Sequence, residues 1–274
     1  MKNIPWKTFH FNRGVEDKRL ILNTLPISHY VDKVRWCMDK AKIPYEEEKD
    51  IGIFWVLTTG RLVPNLNIPA KNISISNSSD ILKYLYAHLK CSDEEGAKFL
   101  EPTPKSFELE KKIDLLAGHI RTYMYYHTLV ANKNSDELAL KVWGIHEAEI
   151  PSWQKSILKV AMPILKKFII TVLKIDKENA DADFKKSEEF FSEIDKILSK
   201  NQFILGTEEP TYIDYSFAAI AAIRALPDQY GGPNLTPESR LKLSDFTLET
   251  QEDFKKFRNT PSGAFVMKMY AEHR

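Results

Sequence analysis

The chain has 274 residues, with 39 Lys and Arg against 38 Asp and Glu and 43% hydrophobic residues. That is enough chain for one large domain or two modest ones, and a formal charge of +1 supplies no global pull toward nucleic acid or an anionic membrane. Two cysteines, Cys37 and Cys91, with no CxxC and no Cys/His cluster, argue against a disulfide framework and a structural zinc, and fit a reducing, cytoplasmic setting.

Met1 to Asp17 reads as a short extension, because MKNIPWKTFHFNRG lacks the apolar core of a secretory signal. Leu20, Ile21 and Leu22 within Arg19 to Asn23 predict a buried strand that stops before Pro26. From His29 to Ala41, Val31, Val34, Met38 and Ala41 recur at helical spacing. Ile43 to Glu48 predicts a charged edge strand, and Leu62 to Asn67 and Ile73 to Ser76 two more strands across a short turn. Ser78 to Lys90 follows as a helix with Ile81, Leu82, Leu85 and Leu89 on one side. Residues 18–90 therefore predict a small α/β domain.

Cys91 to Lys105 loses the apolar periodicity and reads as a linker. Residues 106–274 read as an all-helical domain, with helices near Ser106 to Val130, Asp136 to His146, Trp153 to Lys174, Asp181 to Lys200, Thr211 to Ala225, and two short ones after Gln251. Thr211 to Ala225 is apolar on all sides and predicts the buried centre of a bundle, whereas Pro227 to Leu248 predicts a long loop. No stretch approaches a membrane span. The nearest, Ile157 to Ile175, carries Lys159, Lys166, Lys167 and Lys174, as an amphipathic surface helix does, with an interfacial helix as the lesser alternative.

Three weak signals converge on one candidate site. Ser28 sits at the mouth of the first helix, beside free backbone N–H groups and the positive end of the helix dipole, although a serine there is most often a plain N-cap. Val63-Pro64 puts a proline in a strand pattern, which suggests a cis bond turned toward a peptide ligand or else an edge strand. Asn77-Ser78 opens another helix and offers donors to a carboxylate. Together they suit a small anionic peptide.

At these residues the sequence resembles the cytosolic glutathione transferases. LNTLPISHYVDKVRWCMDKAKIPYEE looks like their first strand and helix, VPNL like their cis-proline turn, and ISNSSDILKYL like their glutathione-binding helix. FILGTEEPTYIDYSFAAIAA is similar to their Gly, then Thr-x-x-Asp pattern, in which Thr211 and Asp214 form a capping box with a structural role. The ending RNTPSGAFVMKMYAEHR resembles a bacterial-type branch.

The resemblance implies a thioredoxin-like domain followed by an all-helical bundle, glutathione as co-substrate, no metal, and a cytoplasmic homodimer acting in detoxification on small hydrophobic electrophiles. It implies Ser28 as the catalytic hydroxyl of a serine-type enzyme, with Val63, Pro64, Asn77 and Ser78 binding glutathione. Lowering a thiol pKa from about 8.5 by about two units takes roughly 2.7 kcal/mol, which a hydroxyl and a helix N-terminus can supply. The neutral Asn77 departs from the family's usual acidic residue, and His29 from its usual proline. In the helix from Ser106, the residues His119, Tyr123 and Tyr126 are the expected wall for the second substrate. The alternatives are a non-catalytic binding protein on the same fold, or a glutathione-dependent peroxidase or isomerase.

Overall fold

The computed structural model describes residues 19–51 and 63–274; the extension at 1–17 and the start of the strand expected from Leu62 lie outside them. Strand β1 (Leu20–Thr24) is buried along its whole length, as its apolar run requires. It leads into α1 (His29–Lys40), and the chain returns as β2 (Tyr45–Lys49), parallel to β1. Two further strands, β3 (Asn65–Ile68) and β4 (Ile73–Ser76), run antiparallel to their neighbours, giving a four-stranded mixed sheet in the order β2-β1-β3-β4. The charged Tyr45-Glu46-Glu47-Glu48-Lys49 run occupies an edge, as predicted. Helix α2 (Ser78–Lys90) then packs against α1.

Residues 91–105 are more ordered than a linker. A one-turn helix, α3 (Glu94–Ala97), runs into a 3-10 turn, and Ala97 and Leu100 are buried in the common core. The sequence hid this because its core-facing residues, Ala97, Phe99 and Leu100, are too few to set up a period.

The second part is helical. Helix α4 (Pro104–Tyr125) ends in a π-helical turn over Tyr126–Val130. Then come α5 (Ser135–Val142), α6 (Ser152–Val172), α7 (Lys177–Leu198), α8 (Tyr212–Ala225), α9 (Leu248–Arg258) and α10 (Pro261–His273). Helix α5 stops before the predicted His146, because the chain turns at Gly144, whose φ is +83°.

All residues of α8 are buried, and it packs against α1, α4, α9 and α10, so one apolar helix joins the sheet domain to the bundle. Its N-terminus is held by Asp214, which accepts from Thr211 N (2.8 Å), Thr211 Oγ1 (2.9 Å) and Ile204 N (2.8 Å). Because Asp214 also accepts from Ile204 N, it staples the preceding loop to the helix.

The two parts are further locked by polar contacts that no local pattern announces. Trp36 Nε1 donates to the His273 carbonyl at 2.8 Å, and Arg274 pairs with buried Asp32 at 3.0 Å and with Asp39 at 2.6 Å. The loop after α8 closes over the same place. Gly232 has a φ of +60°, and a Cβ there would meet the Arg274 guanidinium at 2.5 Å, so only glycine fits.

Candidate functional site

Strand register brings the three sequence signals to one end of the sheet. Asn23 of β1 lies opposite Asn65 of β3, and Asn65 opposite Ser76 of β4. Ser28 therefore emerges just beyond the end of β1, Val63-Pro64 immediately before β3, and Asn77-Ser78 immediately after β4, all at the same end of the sheet. The Val63–Pro64 bond is cis.

Ser28 is the N-cap of α1, with extended backbone angles (φ −67°, ψ 124°), but its side chain makes no capping bond. Its carbonyl accepts from Asp32 N (3.0 Å), as the first helical bond requires, and its own N–H donates to the Leu25 carbonyl (3.0 Å). The loop is fixed from behind by Tyr230, whose hydroxyl donates to the Ile27 carbonyl at 2.7 Å. The backbone is thus held in place while the hydroxyl stays uncommitted to the cap.

Ser28 lines a cavity of about 380 Å³. The sheet domain contributes Leu25, Ile27, Ser28, His29, Tyr30 and Val63; the bundle closes it with Arg121, Tyr125 and Thr128 of α4, Trp143 after α5, and Leu165 and Phe168 of α6. The walls are dominated by aliphatic and aromatic carbon, with Ser28, Arg121 and the His29 ring among the few polar groups.

His29 is buried, and Nε2 finds no hydrogen-bond partner among the described residues. Burial first, and then the charge of Arg121, pulls its pKa down to about 3, so the ring is neutral. In the unfolded chain it titrates near 6.5. Between these values only the unfolded state takes up the proton, so this contribution is complete above about pH 6.5 and is lost as pH falls, by up to about 1.4 kcal/mol per unit. Denaturant titrations from neutral pH downward are expected to show a shallower decline for His29→Asn than for wild type; parallel declines would rule out a neutral buried ring. His127, whose pKa burial lowers to about 4, adds to the slope in both proteins.

At the second helix mouth, Asn77 has a positive φ of 79° and its Oδ1 accepts from Ser79 N at 2.8 Å. Asn77 is thus the N-cap of α2, and the cap leaves its amide Nδ2 for other uses. Ser78 is buried beside it.

The residues expected for the second-substrate wall are not among those that line this cavity. His119 Nδ1 pairs with Asp183 at 2.9 Å, Tyr123 is buried with its hydroxyl on Asp253 at 3.2 Å, and neither they nor Tyr126 line the cavity. They lie on a side of α4 and its terminal turn that faces away from this cavity. At about 100° per residue, Arg121 stands roughly 200° round from Tyr123, and it is Arg121, Met124, Tyr125 and Thr128 that meet the cavity. Both sides of this helix carry aromatics, so composition could not choose between them; the Arg121, Tyr125, Thr128 spacing was the available signal. Tyr30, beside the catalytic candidate, was also missed. Among the described residues no group of three or more His, Cys, Asp or Glu is placed to hold a metal ion.

No family model and no curated protein matches this sequence. Solved structures do. A glutathione S-transferase of Ceriporiopsis subvermispora, in complex with glutathione, superposes with a TM-score of 0.50 over 92% of this chain and 98% of its own, at 12% identity. The chain has the glutathione transferase fold. A glutathione S-transferase of Methylobacterium radiotolerans, in complex with glutathione sulfonate, is similar at a TM-score of 0.49 and 15% identity over 91% of this chain and 94% of its own. The β-etherase LigF of Sphingobium sp. gives 0.48 and 14% over 91% and 98%. Within the glutathione transferase fold, the end of the sheet bearing Ser28 and the cis Val63–Pro64 bond belongs to the thioredoxin-like part, and the cavity lies between it and the helical part.

Proposed function

We propose that this chain is a glutathione-dependent transferase of the serine type that joins the tripeptide thiolate to a hydrophobic electrophile. The observation that carries the reading is Ser28, which stands at the N-terminus of α1 without a side-chain capping bond and lines an apolar cavity. In this reading Ser28 Oγ donates to the thiolate, the Val63 backbone pairs with the cysteinyl unit beside cis Pro64, and Asn77 with Ser78 holds the γ-glutamyl end. A cytoplasmic homodimer acting in detoxification belongs to the same reading.

Cys37 measures what the site must overcome. It lies on the same helix, buried away from donors, and burial pushes its thiol up to about 12. A glutathione thiol brought into the cavity meets the same penalty. Opposing it are the Ser28 hydroxyl, the first-turn N–H groups of α1 and the positive charge of Arg121. Electrophile and nucleophile are then held together out of water, where orientation lowers the barrier.

Titrating the ultraviolet absorbance of glutathione thiolate in the complex tests this. A bound thiol pKa well below its free value is expected. Binding without a shift would favour the second reading, a non-catalytic binding protein, which draws support from Asn77: its Oδ1 is spent on Ser79, and it lacks the charge to meet the ligand's ammonium group.

A further inference from the structure

Helix α6 is held to the rest of the fold along a narrow strip, with Gln154, Leu158 and Met162 as its buried residues. Its outward surface is not polar. Ile157, Val160, Ile164, Phe168 and Val172 are 44%, 82%, 76%, 61% and 58% exposed, and their spacing of three and four residues aligns them in one stripe along the helix. Isolated exposed apolar residues are ordinary, but a continuous stripe over about four turns is not.

Charge singles out what fits this stripe. Residues 152–175 hold five lysines, Lys155, Lys159, Lys166, Lys167 and Lys174, and no Asp or Glu, in a chain whose overall charge is only +1. Lys166 is bound to Asp136 and Ser135 of α5. Lys159 and Lys167 are exposed, and helical geometry sets them along one flank of the stripe, where long stems let the ammonium groups reach outward while apolar side chains enter a less polar medium. The other flank is the cavity wall, since Phe168 and Val172 belong both to the stripe and to the cavity lining. A second copy docked stripe to stripe would gather the lysines of both helices with no carboxylate in either segment to answer them.

We propose that α6 seats this protein on an anionic lipid surface, lying in the interface with the Ile157-to-Val172 stripe immersed and the lysines at the headgroups. It lies on the membrane and does not cross it, consistent with there being no helix among the described residues long and apolar enough to span. The seat stands independently of the glutathione reading. If that reading holds, the mouth of the cavity opens where lipid-dissolved electrophiles concentrate, and substrates enter past Phe168 from the bilayer side.

The test is vesicle flotation of the full chain without glutathione, using phosphatidylcholine alone and phosphatidylcholine mixed with phosphatidylglycerol. Wild type is expected to float with the anionic vesicles, to bind less as salt rises, and to bind the neutral ones poorly. The pair Val160→Glu and Ile164→Glu, neither of which lines the cavity, is expected to weaken binding at least about tenfold, and Lys159→Glu with Lys167→Glu to do the same. Circular dichroism checks that each variant is folded, and the lysine pair carries the test if the first does not fold. Absence of binding to anionic vesicles, or undiminished binding by the folded variants, would overturn the proposal. So would a fall in oligomeric state for Val160→Glu/Ile164→Glu in sedimentation, which would assign the stripe to a second copy.

Discussion

Replacing Ser28 with alanine is expected to reduce glutathione-dependent turnover about 10- to 100-fold at neutral pH, the worth of one hydrogen bond to a charged partner at ~1.5–3 kcal/mol. The bound thiol pKa should rise by one to two units in parallel, roughly the same free energy read by titration. The sharper part of the prediction concerns stability. A serine serving only as an N-cap costs ~1 kcal/mol on replacement by alanine and leaves chemistry untouched. Ser28 makes no side-chain capping bond, so Ser28→Ala should unfold at nearly the wild-type denaturant concentration while activity falls. Loss of stability with activity retained would return Ser28 to an ordinary cap. Because Tyr30 also lines the cavity, Tyr30→Phe is the matching control, and a larger loss there would transfer the donor role to the phenol.

Why this site was readable in the sequence, and its far wall was not, follows from the range of the interactions involved. Ser28, Val63-Pro64 and Asn77-Ser78 are each tied to a local event, a helix start or a proline in a strand, and strand pairing then gathers them because Asn23, Asn65 and Ser76 fall in adjacent register. Helix α8 was legible for a similar reason: a segment apolar on all sides can only be central. The choice of face on α4 depended instead on where α6 and α7 came to lie. Tyr123 is drawn to the Asp253 and Phe184 side, and Arg121 is left to the cavity. The anchoring of Trp36 and Asp32 by His273 and Arg274 joins residues more than 230 positions apart, for which no periodicity exists. On α6 the lysines were visible, but only the fold shows that the apolar residues between them are turned outward.

The largest loss of stability is expected at a buried ion pair that ties the candidate site to the bundle. Lys33 of α1 is fully buried, with its ammonium 2.9 Å from Glu110 and 3.6 Å from Asp114 of α4, and it also donates to Ser79 Oγ of α2 at 3.1 Å. Glu110 is buried in turn, and Tyr212 at the head of α8 reaches toward it at 3.5 Å. Glu110→Ala would leave an ammonium out of water with only the more distant, partly exposed Asp114 to answer it, and should cost about 3–5 kcal/mol in denaturant titrations. A pair that merely breaks even against apolar packing behaves differently when both halves are removed, so Lys33→Met with Glu110→Leu should recover most of that loss. A cost below about 1 kcal/mol for the single variant would mean that water reaches Lys33 and that the pair behaves like a surface one. Since Ser79 follows directly on Asn77 and Ser78, the apolar double variant, which removes the Lys33 ammonium that donates to Ser79 Oγ, should weaken glutathione binding while regaining stability. Glu110→Ala keeps that donor and should weaken binding less, separating what the pair does for the fold from what it does for the mouth of α2.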